Sequence, residues 1–313
     1  MVSKKKYKNI LVVLGGTSGE RAVSLESGKA CIKALKKKKY KVSSFDPKIK
    51  NFNLIEKKNV DAIFNALHGG DGEDGVAQSY FEYLKIPYTH SGVISSYTSM
   101  NKTYSKELFI KNKIKTPKFL SINKKNFKSS TIEKFIKKKK INYPIVIKPI
   151  NEGSSLGVKI CDNKKKLFQI IKSLLKKYDD LILEEYIGGQ EIQVAVINGN
   201  PLGAIELIPK RSFYDYKAKY TKEAKTEHVM PAKLSKKKYA EVLKIAKKTH
   251  KVLGCKGITR SDFKFYKNSF FILEINTQPG MTKLSLVPEI AKFNGLTFEN
   301  LVEKILLDAS INR

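Results

Sequence analysis

GITRSDFKFYKNSFFILEINTQPGMTKLS, residues 257–285, reads as two strands, a turn and a glycine-bearing loop, and the rest of the chain is organised around it. Positions 258–266 and 270–276 are dense in β-branched and aromatic residues, with Lys267, Asn268 and Ser269 between them as the turn. Side chains alternate along a strand, so Arg260 and Asp262 share one face, and Glu274 and Asn276 share one face of the partner. If 266 pairs with 270, Asp262 lies opposite Glu274 and Arg260 opposite Asn276. Facing carboxylates repel. A hard cation between them removes the penalty, because oxygens of Asp, Glu and Asn are what magnesium takes while it also holds phosphate. The same spacing also suits a solvated hairpin face with scattered charge.

With 313 residues, 41% of them hydrophobic, the chain can fold into about two or three domains with a sizeable core. The formal charge is +32, yet all but four of the 61 basic residues are lysines: only Arg21, Arg211, Arg260 and Arg313 carry guanidinium groups. A nucleic-acid binder clusters its cations and uses Arg for bidentate contacts. These lysines are spread along the length, which argues for a solvated surface and against a nucleic-acid partner. Cys31, Cys161 and Cys255 are far apart and outside any CxxC spacing, as expected of buried thiols in a reducing cytoplasm. The start MVSKKKYKNILVVLGG imitates a signal peptide, but ILVVL is too short for its apolar core. No apolar run reaches membrane-spanning length.

Positions 10–14 form a short apolar strand, followed by Gly15-Gly16 and a helix over 23–37. Glycine between a strand and a helix marks a ligand site at the helix N-terminus, although GxGxxG is absent. A second buried strand over 59–67 ends in HGGDGEDG, a loop that lets backbone approach a ligand. His68 there is a positioning group more readily than a catalyst, and Glu73 suits a helix cap. These features make 1–90 an alternating β/α unit. From 91 to 184, helices near 101–112, 131–140 and 163–177 carry the lysine runs. Between them lies the strand YPIVIKP, then EGSSLG, which is either a hairpin turn or a phosphate-covering loop with Lys148 beside it. The remainder, 185–313, holds a strand meander, a long aperiodic loop over 209–232, a helix over 239–253 with Ser235 as its cap, the 258–276 hairpin, and helices near 288–294 and 298–309.

Together these segments resemble the D-alanine:D-alanine ligases of the ATP-grasp superfamily. The resemblance runs in order through LGGTSGERAVSLESG (14–28), ALHGGDGEDG (66–75), IPYTHSG (86–92), MNK (100–102), VIKPINEGSSLGV (146–158), FYDYKAKYTKE (213–223), GCKGITRSD (254–262) and LEINTQPGMTKLSLVP (273–288). It implies a three-domain α/β fold: a Rossmann-like substrate unit (1–90), a central lid (91–184) and a mixed C-terminal unit (185–313) that grips ATP with the lid. By resemblance Lys102, Lys148, Ser155 and Lys219 hold phosphates, Glu184, Glu185 and Ile187 meet adenine, and Glu191 meets ribose. Asp262, Glu274 and Asn276 match ligands of two magnesium ions, with manganese as a substitute. Glu20, supported by Ser24 and near His68, takes the first D-alanine, and Glu20, Ser154 and Tyr220 form a closing bridge. Arg260 and Gly280 face the oxyanion, while Ser285 and Leu286 hold the second carboxylate. The resemblance also implies a homodimer working in the cytoplasm. The alternative it leaves is another carboxylate–amine ligase, including one that forms D-alanyl-D-lactate. Thr259, Ser261, Gln278 and Leu284 depart from the commonest pattern.

Overall fold

The computed structural model describes residues 5–55, 59–209 and 226–313. Near its start the run after the lysines goes straight into a sheet: β1 (Asn9–Val13) lies between β2 (Lys41–Phe45) and β3 (Ala62–Asn65), all parallel. β2 has no counterpart in the sequence reading, because KVSSF is a half-exposed edge strand without an apolar run. Helix α1 (Arg21–Lys37) buries Val23, Cys31, Ala34 and Leu35. After β3 come the short α2 (Gly70–Glu73) and α3 (Val76–Tyr83). In a parallel sheet of order 2-1-3, the carboxyl ends of neighbouring strands are where ligands sit. Ser24 stitches two of those ends together, accepting from the Gly15 N–H at 2.8 Å and donating to the Ala66 carbonyl at 2.7 Å.

A second sheet, β4 (Phe119–Asn123), β7 (Asp180–Glu185), β5 (Ile145–Pro149) and β6 (Lys159–Cys161) in that spatial order, is antiparallel throughout. Helices α6 (Ser129–Lys138) and α7 (Lys164–Leu175) cover it with Ile132, Ile136, Leu167 and Ile171 and leave their lysines in water. The third sheet runs β10 (Glu227–Val229), β9 (Asn200–Ile208), β8 (Gln190–Ile197), β11 (Ile258–Tyr266) and β12 (Ser269–Asn276). One face packs on α8 (Lys236–Val252), whose cap Ser235 accepts from the Lys238 N–H at 3.3 Å. The helices α4 (Val93–Met100) and α5 (Lys102–Lys111) contact β12 of this third sheet, and Phe109 and Ile114 join the core of Ile192, Phe263 and Ile272. The other face shares a core with β1 and with the closing helices α9 (Leu286–Phe293) and α10 (Phe298–Leu307), so the first and third sheets are joined through one apolar body.

The hairpin reaches the expected pairing by an unexpected route. Its turn has two residues, Lys267 and Asn268, with φ of 45° and 60°, the positive values a two-residue turn of primed type requires. Tyr266 therefore pairs with Ser269, and a regular ladder would carry Leu273 to Asp262. A bulge between Asp262 and Phe263 absorbs one residue of β12, and beyond it Asp262 pairs with Glu274 and Arg260 with Asn276. The bulge also brings both Leu273 and Glu274 to the wall of one cleft. At the opposite end of the ladder, Gly189 has φ of 81°, and a Cβ there would lie 2.2 Å from the Phe265 carbonyl oxygen. Gly189→Ala is expected to cost at least about 2 kcal/mol of stability, read from urea unfolding; a variant within about 0.5 kcal/mol of wild type would show that this approach is not a constraint.

Candidate active site

The second and third sheets face each other across a cleft of about 810 Å³. Its inner wall is the end of β7 and the run into β8, where Glu185, Ile187 and Glu191 stand with Val146 and Leu273. An apolar slot rimmed by a few polar groups is what a flat heterocycle with a sugar requires. Glu191 Oε2 meets Lys264 Nζ at 3.0 Å. Towards the mouth the lining passes to Lys148, Lys102 and Ser155. Asn101 caps α5 by accepting from the N–H groups of Thr103 and Tyr104, and that cap fixes the start of the helix that carries Lys102. Lys102 Nζ donates to the Glu152 carbonyl at 2.6 Å and lies 3.7 Å from Glu274 Oε2.

Glu184, expected to meet adenine, lines the cleft, but its carboxylate is turned to two lysines instead. Lys148 Nζ is 3.0 Å from one oxygen and Lys106 Nζ 3.1 Å from the other. Glu184 is only 2% exposed. Burial pushes its pKa up, yet Lys106 and Lys148 together outweigh burial and hold it below its ordinary value. At Lys148 burial is outweighed by Glu184 and Glu274, and the ammonium is favoured. At Lys106 burial wins over Glu184, and the pKa falls to about 8. Lys106 also donates to Thr116 Oγ1 at 2.8 Å, which in turn donates to the Ile272 carbonyl at 2.8 Å. Sequence reasoning missed Lys106. The available signal was its place one helical turn after Lys102, on the face of α5 that also buries Phe109.

A second hollow of about 520 Å³ shares Lys102, Glu152 and Glu274 with the first and adds Glu20, Glu73, Ser154, Arg260 and Asn276. Ser154 Oγ makes a short hydrogen bond to Glu20 Oε1 across the gap between the first and second sheets. Ser154 and Ser155 both have positive φ, 49° and 61°. A Cβ on either Gly69 or Gly153 would lie 2.7 Å from Glu20 Oε2, so both loops approach that carboxylate through glycine. His68 stands behind the wall: its Nδ1 is 3.1 Å from Glu73 Oε1 and its Nε2 3.2 Å from Ser27 Oγ. Glu73, read as a helix cap, is the group that faces the hollow. The Ser24 N–H donates to the Glu20 carbonyl at 3.0 Å, a backbone support. Tyr220 and Lys219 lie outside the described residues.

Asp262 and Glu274 line the first hollow, and Glu274 and Asn276 the second. Two carboxylates and an amide oxygen along one strip fit a hard cation that also takes phosphate oxygens. Among the described residues no three His, Cys, Asp or Glu side chains gather into a metal cluster, so such a cation would depend on Asn276 and on ligand oxygens. Arg260 holds Asp262 at two points, Nε to Oδ1 at 2.8 Å and a terminal nitrogen to Oδ2 at 3.0 Å. This fork supplies the counter-charge that bare facing carboxylates would lack.

Gly280, Ser285 and Leu286 lie beyond the walls of this hollow. A Cβ on Gly280 would meet Ser285 Oγ at 2.8 Å, and Ser285 Oγ accepts from the Thr282 N–H at 3.0 Å. Leu286 buries its side chain with Val287 and Ile290. Gln278, a departure noted in the sequence, is a tether: its Oε1 accepts from Asn65 Nδ2 at 2.8 Å, and its Nε2 makes a short bond to the Leu67 carbonyl.

Two antiparallel sheets that close on one cleft, set against a parallel third, define the ATP-grasp class. Family models described as D-ala D-ala ligase N-terminus and D-ala D-ala ligase C-terminus match residues 45–91 and 108–307. A D-alanine–D-alanine ligase of Pelagibacter ubique is 54% identical over 306 residues, covering 98% of this chain and 99% of that protein. One of Wolbachia pipientis wMel is 43% identical, covering 96% and 94%. The crystal structure of D-alanine–D-alanine ligase from Bacillus anthracis superposes with a TM-score of 0.85 at 32% identity, covering 96% and 97%. The chain belongs to the D-alanine–D-alanine ligase family.

The buried lysine gives a pH signature. A lysine whose pKa is depressed on folding binds fewer protons in the folded than in the unfolded state, so its contribution raises stability as pH climbs. For Lys106 the window runs from about 8 in the folded protein to the ordinary value near 10.4. Urea unfolding at pH 8, 9 and 10 is expected to give wild type a more positive slope of stability against pH than Lys106→Met. Parallel slopes would contradict the depressed value.

Proposed function

We propose that the protein joins two D-alanines into D-alanyl-D-alanine at the expense of ATP, supplying a peptidoglycan precursor in the cytoplasm. The observation that carries this reading is the shared wall: Lys102, Glu152 and Glu274 border both hollows, so the end of a nucleotide's phosphate chain in one meets a carboxylate in the other. Glu20 holds the ammonium of the first D-alanine, with Ser154 bonded to Glu20 and Tyr220 completing the closure. The D-alanine carboxylate attacks the γ-phosphate and ADP leaves, giving an acyl phosphate, while Lys102, Lys148, Lys219 and Ser155 offset the charge on the transferred group. Asp262, Glu274 and Asn276 hold magnesium, which when bound neutralises phosphate charge. The amine of the second D-alanine, its carboxylate held at Ser285 and the Leu286 backbone, attacks the acyl carbon while Arg260 and the Gly280 N–H face the oxyanion; the amine loses a proton and inorganic phosphate leaves. The loop carrying Ser154 excludes water, which would otherwise hydrolyse the acyl phosphate. The free, buried state of Cys31, Cys161 and Cys255 supports a reducing compartment. Among the described residues no helix is long and apolar enough to cross a membrane.

Phosphate release from ATP is expected to depend on D-alanine and to yield the dipeptide. Asp262→Asn is expected to lower turnover by at least about 100-fold and to reduce stability by about 1–3 kcal/mol, because Arg260 loses its forked partner. D-alanine-independent hydrolysis, or unchanged turnover in that variant, would overturn the assignment.

We also propose a homodimer through the face formed by α3, α4 and α5. There Val76, Tyr83, Ile94, Tyr97 and Tyr104 are all at least 46% exposed, and Tyr97 and Tyr104 stack at 5.9 Å. Adjacent exposed apolar groups of this kind mark an interaction surface. Light scattering should give twice the chain mass for wild type and a monomer for Tyr97→Lys with Ile94→Lys; a monomeric wild type would refute the dimer.

A further inference from the structure

The third sheet carries a buried amide, that of Gln193, that no step above uses. A cross-strand row runs Ile205, Gln193, Asp262, Glu274 across β9, β8, β11 and β12, and the next row runs Gly203, Ala195, Arg260, Asn276. Directly opposed residues share a face with Cβ atoms about 5 Å apart, and diagonal ones are within reach of long side chains. Gln193 thus stands beside Asp262 and diagonal to Arg260. It is 1% exposed, and neither its Nε2 nor its Oε1 has a hydrogen-bond partner. Buried amides are almost always paired, and one left unpaired costs stability. Its neighbours Ala195 and Ile205 are apolar and wholly buried, so an apolar side chain would suit the position better.

We propose that Gln193 is a positioning residue of the cation and phosphate site, which takes hold of Asp262 when Arg260 turns to the reacting carbonyl. The inference rests on the reading of Asp262 as a cation ligand. Both oxygens of Asp262 accept from the Arg260 fork, and any N–H of that fork that turns to an oxyanion leaves Asp262 a donor short. A carboxylate that gives one oxygen to a cation needs a donor on the other to keep its orientation. Once Arg260 swings away, Gln193 Nε2 is the donor beside it in the row. Arg260 is its diagonal neighbour, so its Oε1 can accept a guanidinium N–H during that movement. The residue is strained by lack of partners in one state so that it can supply them in the other.

The test uses the full chain with ADP and Mn²⁺, free Mn²⁺ being read by electron paramagnetic resonance, together with thermal melts without ligands. Gln193→Met keeps the volume and removes both polar atoms. It should raise the melting temperature by about 2–4 °C and weaken Mn²⁺ binding by about 10-fold or more. Asp262→Asn is the control. If Asp262→Asn loses Mn²⁺ while Gln193→Met binds as wild type does, the role of Gln193 falls and the cation site stands. If neither variant changes Mn²⁺ binding, the cation reading itself fails. A Gln193→Met protein that melts lower or does not fold shows that the amide is already satisfied in the free enzyme, and this also overturns the proposal.

Discussion

Everything at the back of the cleft depends on one buried carboxylate. Glu184 belongs to β7 of the second sheet and is clasped by Lys148 of the same sheet and by Lys106 of α5, a helix that packs on the third. From Lys106 the polar chain continues through Thr116 to the backbone of β12. A charge buried without partners would be expelled or neutralised, and removing either partner of a buried pair is costly. The two sheets are therefore held at a fixed separation by the need to keep Glu184 paired. That separation is the width of the slot between Val146 and Leu273. The same clasp keeps the Lys148 ammonium charged.

Surface charge and site charge obey different rules in this chain. Many of its lysines lie on solvated helix faces, such as those of α6 and α7, where their energetic weight is small. Lys102, Lys106 and Lys148 are all buried, and each has a named carboxylate within 4 Å. The formal charge of +32 is thus a poor guide to what the protein recognises. A few lysines among the many, these three and Lys264 beside Glu191, set the electrostatics of the cleft.

The strands and long helices were legible in the sequence because their apolar periods are strong: α1, α7, α8 and the hairpin fall within a few residues of their expected bounds. Pairing of Asp262 with Glu274 was also legible, though for an incomplete reason. Counting from a three-residue turn gave the pairing that a two-residue turn plus a bulge at Leu273 produces. Two one-residue errors cancelled, and a bulge has no local sequence mark as clear as a glycine. β2, β4 and β10 escaped, β10 inside the stretch 209–232 read as a loop; each lies at the edge of its sheet, and an edge strand needs no continuous apolar face. The partners of Glu184, the tether made by Gln278 and the unpaired amide of Gln193 were invisible for a common reason. Each is defined by what lies across the fold, and a polar residue in a strand or helix reads as solvent-facing until its neighbours are known. His68 was placed in the correct loop, but the sequence could not tell that Glu73 would stand in front of it.

The backbone of the loop between β5 and β6 has a consequence for how a cycle ends. Ser154 and Ser155 are consecutive non-glycine residues in the left-handed region, a conformation that costs about 1–2 kcal/mol per residue. The Ser154 side chain bonds to Glu20 of the first sheet, while bonds from the Leu156 N–H to the Gly153 carbonyl and from the Val158 N–H to the Ser155 carbonyl close the turn itself. Parting Ser154 from Glu20 leaves those backbone bonds in place, so the turn keeps its shape when its contact with the first sheet is broken.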